Sequence, residues 1–119
     1  MYPIEFSPAK SEDVFPDLVE LLSLTEADFH ERFSGRAVAR AKYAGLLRNA
    51  CVALGNLGDA SAVAPLAAAL DHSEPLVRGH AAWALGRLRS PDALRPRLAR
   101  ESDPWVRDEI TEALETAGG

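Results

Sequence analysis

The chain repeats itself, and this limits its possible folds more than any other feature of its 119 residues. The stretch "VALGNLGDASAVAPLAAAL" (52–70) recurs 31 residues on as "WALGRLRSPDALRPRLARE" (83–101). Ala53-Leu54-Gly55 falls on Ala84-Leu85-Gly86, Leu57 on Leu88, and Pro65 on Pro96. A second match, at an offset of 29, sets "EPLVRGHAAWAL" (74–85) against "DPWVRDEITEAL" (103–114). A period of about 30 residues, each unit holding two short helical patterns, predicts an all-α chain. The expected architecture is a short α-solenoid of stacked helical hairpins, wound as a right-handed superhelix.

Local signals place the helices. Pro75, Pro91 and Pro104 each follow a polar interruption and suit a first helical turn, where a missing N–H costs nothing. Thr25, three residues before Asp28, reads as an N-cap in a variant of the capping box. Helices are expected near 16–23, 25–33, 36–56, 60–70, 75–88, 91–100 and 104–116, with Gly45 a candidate break in the third. Pro65 and Pro96 fall about five residues into short helices, which should therefore be kinked or start late. The domain should span 16–116, after a linker or partly ordered arm at 1–15 and before a tail at 117–119.

Few aromatic residues beside abundant Ala and Leu agree with helices rather than sheets. Cys51, the one cysteine, excludes an internal disulfide and fits a reducing cytoplasm. On the apolar face of its helix it reads as a small buried hydrophobe. No segment approaches the ~20 apolar residues of a membrane span. The opening "MYPIEFSPAK" has neither the basic start nor the apolar core of a signal peptide. His30, His72 and His80 have no metal-ligand spacing, and there is no phosphate-binding Gly loop or nucleophile–base set.

Charge is uneven. Residues 1–35 hold two basic against eight acidic residues, 36–100 hold ten against four, and 101–119 hold one against six. From Arg36 to Gly58 there is no acid. Local potential steers a ligand more than net charge does, so the basic middle fits a polyanion although the chain carries −5. A helical wheel puts Leu46, Leu47, Ala50, Leu54 and Leu57 on one stripe and Arg48, Asn49, Val52 and Asn56 opposite. The 31-residue offset carries Asn49 onto His80, Val52 onto Trp83 and Asn56 onto Arg87. The second helices of stacked hairpins line the concave face, so these residues should form a ridge there. Glu109 and Glu112 change its sign in the last unit. Arg36, Arg40, Lys42, Arg48, Asn49, His80, Trp83 and Arg87 are the candidate polyanion-binding residues. The blander readings are that Trp83 packs against 36–44 and that Arg78 and Arg107 pair with acids of neighbouring units.

From "RAKYAGLLRNACVALGN" (40–56), with "LVRGHAAWALGRL" (76–88) and the lead-in "LTEADFHERF" (24–33), the chain resembles the C-terminal HEAT-like repeat domain of the epoxyqueuosine reductase family. The likeness runs from about Asp17 to about Leu114. It implies a helical solenoid attached to a catalytic body and helping it hold the tRNA anticodon stem-loop during queuosine biosynthesis. That family carries two 4Fe–4S clusters and cobalamin, and each cluster needs several thiolates. With Cys51 alone, this chain departs from that pattern. The resemblance therefore implies that the cofactor sites and the catalytic acid lie upstream of Met1, and that this chain alone is a non-catalytic, cytoplasmic monomer. Its partners would be tRNA and the enzyme's own catalytic domains, with no membrane. A second function remains open, a protein-interaction scaffold whose ridge grips a partner segment. An acidic partner would suit the acid-free run as well as RNA does.

Overall fold

The computed structural model describes residues 11–33 and 39–118, and of these the side chains other than 11–14, 30, 32, 33 and 39–41. The helices are α1 (Ser11–Leu22), α2 (Glu26–Phe33), α3 (Ala39–Leu57), α4 (Val63–Ala69), α5 (Pro75–Arg87), α6 (Pro91–Arg100) and α7 (Pro104–Thr116). A 3₁₀ turn, Ala60–Ala62, leads into α4. The described residues contain no strand. The all-α solenoid expected from the repeats is the fold found.

The caps explain the boundaries. The Thr25 hydroxyl accepts the Asp28 N–H at 3.0 Å and opens α2. Asp59 accepts the Ser61 N–H at 2.8 Å, and Asp103 the Val106 N–H at 3.0 Å. Pro75, Pro91 and Pro104 each occupy the first turn of a helix, as expected. Pro65 lies in the first turn of α4, which starts late behind its 3₁₀ turn.

Two boundaries differ from expectation. The arm expected at 1–15 is helical from Ser11, so Pro16 sits inside α1 rather than at its start. Residues 1–10, the separator Gly35, and Arg36 lie outside the described residues. Gly45 does not divide the third helix; it is buried within a continuous α3. Burial of the surrounding helix outweighs the ~1 kcal/mol that glycine costs there.

Helices α3, α5 and α7 lie side by side, with α5 in the middle; α4 and α6 form the second layer, and α1 and α2 cover α3. Leu46, Leu47, Ala50, Cys51 and Leu54 are fully or almost fully buried, as are Leu66, Leu70, Ala81 and Leu85. Leu57 departs from the expected stripe, and two further leucines are less buried than the core. Leu57, in the last turn of α3 just before the chain leaves through Gly58, is 38% exposed. Leu88 and Leu114 are half-buried against the core, the first as the C-cap of α5 and the second in the last helix. Cys51 is buried, and burial pushes its thiol up to about 12. It is an inert packing group.

The "ALG" repeat has a structural cause. A Cβ on Gly55 would lie 3.1 Å from both Cα and Cβ of Ala84, and one on Gly86 would lie 2.9 Å from Cα and Cβ of Ala113. Each unit's glycine thus receives the alanine of the next unit, allowing α3, α5 and α7 to approach at backbone distance.

Charge stitches the units together on their turns. Arg78 of α5 grips Glu101 with two bonds of 2.9 Å and donates to the His72 carbonyl at 2.9 Å. Glu101 also receives Arg97 and the Asp103 N–H, and it is only 3% exposed. Burial opposes its ionisation, but hydrogen bonds from Arg78, Asp103 and Arg97 outweigh that and hold its carboxyl down to about 2. Arg78 is therefore the structural pair member expected. Arg107 differs: it donates to the carbonyls of Leu98 and Glu101, both at 2.8 Å.

A second chain of bonds joins α3 to two loops. His72 Nδ1 accepts the Glu74 N–H at 3.0 Å, so Nε2 carries the proton and donates to the Tyr43 hydroxyl at 2.8 Å. That hydroxyl donates to the Leu24 carbonyl at 2.8 Å. The bond from the Glu74 N–H requires neutral His72, and burial lowers the imidazole below its ordinary value.

Candidate nucleic-acid interface

Because α3, α5 and α7 share one layer, the sides turned away from the leucine stripe form a continuous strip. On α3, Lys42 is exposed, while Arg48 and Asn49 are half-buried and joined, the Arg48 Nε–H donating to Asn49 Oδ1 at 3.2 Å. Val52 is half-buried and Asn56 exposed. Arg36 and the side chain of Arg40 lie outside the described residues.

On α5, the candidates follow one another down the helix. His80 is half-buried and its Nδ1–H donates to the Leu76 carbonyl at 2.8 Å. Trp83 is half-buried, with its ring edge against Gly55: a Cβ there would lie 2.9 Å from Trp83 Cζ3. Trp83 packs on Gly55, further along α3 than the 36–44 expected, where the missing side chain makes room; residues 36–38 and the side chains of 39–41 lie outside the described residues. Arg87 is exposed, its guanidinium carbon 5.3 Å from the Trp83 ring centroid. This is cation–π distance.

Sequence reasoning missed Trp105. It is 41% exposed, its ring occupies the space over Gly79 where a Cβ would come within 2.3 Å of Cζ3, and its centroid lies 5.6 Å from that of His80. The available signal was the repeat itself, which sets Trp105 opposite Leu76 in otherwise matching motifs. On the same helix, burial and the neighbouring Glu112 raise the carboxyl of Glu109. The strip therefore runs from basic and amide groups on α3, through His80, Trp83 and Arg87 on α5, to acids on α7.

The donor set does not suit an iron–sulfur cluster. A cluster needs about four thiolates, and Cys51 is a lone, fully buried thiol. Among the described residues no three His, Cys, Asp or Glu side chains come together as metal ligands. No described helix is long and apolar enough to cross a membrane.

Stacked hairpins with arginine-stitched turns define a helical-repeat protein, and residues 37–115 match the family described as HEAT repeats. The chain belongs to the HEAT-repeat family. Among its relatives, the epoxyqueuosine reductase of Bacillus cereus is 34% identical over 108 residues, covering 87% of this chain and 28% of the relative. That of Salmonella typhimurium is 37% identical over 83 residues, 70% of this chain and 21% of the relative. A crystal structure of epoxyqueuosine reductase with an epoxyqueuosine-modified tRNA-Tyr stem loop superposes with a TM-score of 0.74 at 30% identity, over 86% of this chain and 28% of that one. The chain thus spans between about a fifth and little more than a quarter of the length of these proteins.

Proposed function

We propose that this chain is a non-catalytic accessory domain that helps hold the anticodon stem-loop of a tRNA for a cytoplasmic epoxyqueuosine reductase. The observation carrying this reading is the similarity, over most of the chain, to a reductase solved with a tRNA stem loop. The acid-free run from Arg36 to Gly58 supports it, because a face that only meets solvent usually mixes signs. Arg36, Arg40, Lys42 and Arg48 would contact phosphates; Asn49, His80 and Arg87 would add hydrogen bonds, and Trp83 would stack. Reduction, the two 4Fe–4S clusters and cobalamin would belong to catalytic domains of the same enzyme, which become this domain's second partner.

The test is a salt titration of binding between this chain and a tRNA anticodon stem-loop. Phosphate contacts lose affinity steeply as salt rises. A log–log slope near zero, or no binding, would remove the RNA reading and leave the protein-interaction scaffold standing.

A further inference from the structure

The C-terminal ends of α3, α5 and α7 are equivalent in the repeat, and all three turn through the left-handed region of backbone space. Two of them use glycine there, Gly58 at φ 72° and Gly118 at φ 85°. The middle one uses Arg89, at φ 55°. Its turn is well formed: the Ser90 N–H reaches the Leu85 carbonyl and the Arg89 N–H the Gly86 carbonyl, both at 3.0 Å, the bonding pattern of a Schellman cap. A side chain at such a position is strained, and a fold that uses glycine twice has a cheaper solution available.

Structural reasons for arginine fall short. A cation complements the negative end of a helix dipole, but Arg87 already stands in the last turn of α5. The last turns of α3 and α7 hold no basic residue. Nor does Arg89 tie the units together. Arg78, Arg97 and Arg107 hold carboxylates or carbonyls of the turns, and Arg95 and Arg100 reach Asp92 and Asp71. Arg89 is exposed, and among the described residues its guanidinium has no acidic, carbonyl or aromatic partner.

We propose that Arg89 is a phosphate-binding residue of the RNA strip, acting with Arg87 two residues before it to hold the nucleic-acid backbone where α5 ends. This rests on the RNA reading above and extends it to a residue outside the candidate set. The end of a helix repels anions, so a phosphate there must be held by long cationic side chains reaching past the last carbonyls. Two arginines, one braced on the Trp83 ring, meet that need.

The test compares wild type, Arg89→Gly, Arg89→Lys and Arg95→Gln in binding to an unmodified tRNA-Tyr anticodon stem-loop, and in thermal melting. Arg89→Gly should melt no lower than wild type, since it installs the residue the other two turns use. It should nevertheless bind more weakly, with a log–log salt slope shallower by about 0.7–0.9 for one phosphate no longer neutralised. Its deficit should shrink about threefold between ~50 and ~200 mM salt. Arg89→Lys should keep the slope, and so should Arg95→Gln, which only breaks an exposed ion pair. A wild-type slope in Arg89→Gly, or a clear loss of its stability, would overturn this assignment while the RNA reading stood. A flat slope in wild type would defeat the RNA reading itself and this inference with it.

Discussion

Gly86 meets Ala113 with no room between them: a Cβ on the glycine would sit 2.9 Å from the alanine's Cα, Cβ and carbonyl oxygen. The same relation joins Gly55 to Ala84 one unit earlier. The glycine position of "ALG" becomes exposed Glu115 in the third unit, in the last helix of the row. The repeat therefore records where two helices touch. Gly86→Ala gains up to ~1 kcal/mol of helix propensity. It also forces a methyl against backbone that cannot swing aside, an overpacking cost of about 1–3 kcal/mol. Urea unfolding should show a net loss of about 1–2 kcal/mol, and a stabilised variant would mean α5 and α7 lie further apart. Gly55→Ala should lose less, since the Trp83 ring it meets is half-buried and can yield.

The Arg78–Glu101 pair sets the acid limit of the fold. Glu101 titrates at about 2 when folded against an ordinary 4.5. A depressed carboxyl contributes its full stability above the unfolded value and loses it as pH falls through the folded one. Unfolding free energy should thus fall by about 3 kcal/mol between roughly pH 5 and pH 2. Glu101→Gln should be less stable at pH 7 and flatter across that window. An unchanged pH profile in the variant would show that the acid sensitivity comes from elsewhere.

The His72 relay should act at milder pH. His72 is lowered from its ordinary 6.5 chiefly by burial, with Arg78 reinforcing the shift and Glu74 and Glu26 opposing it. Because the folded state prefers the neutral ring, the relay's stability is complete above about 6.5 and declines as pH falls through the folded value. Protonating Nδ1 would break its bond from the Glu74 N–H. NMR titration should find His72 below an unfolded reference histidine; a value above it would contradict the assigned tautomer. Tyr43→Phe should cost about 1–3 kcal/mol by leaving the Leu24 carbonyl and the His72 Nε2–H unpaired.

What sequence revealed and what it hid divide along one physical line. The first-turn prolines, the Thr25 cap and the Leu46–Leu54 stripe are local signals, and each appears as read. The Arg78 partnership was also legible, because its motif recurs at a fixed offset. The first helix is expected from residue 16, but α1 begins at Ser11 and runs through Pro16, which marks neither its start nor a break. Gly45 misled because propensity is a weak term beside burial. The Tyr43–His72 bond spans 29 residues and depends on loop geometry, so no spacing announces it. Of the candidate interface, the α5 residues form a traceable line, while Trp105 became visible only once Gly79 was seen to lie beneath it.

Charge reversal separates binding from folding. Lys42 is exposed, so its change to Glu should alter stability by less than about 1 kcal/mol. Changing Arg36, Arg40 and Lys42 together to Glu should weaken stem-loop binding. The log–log salt slope should fall by about 0.7–0.9 for each phosphate no longer neutralised. Arg78→Glu is the contrasting case. Arg78 is 13% exposed and its partner Glu101 1% by side chain, so the change sets two carboxylates together where a bidentate pair stood. Breaking a buried pair costs about 3–5 kcal/mol. That variant should lose RNA binding only to the extent that it unfolds, and melting curves taken under binding conditions will separate the two. A folded triple variant that binds the stem-loop as tightly as wild type, with an unchanged slope, would move the basic run from RNA contact to an acidic protein partner.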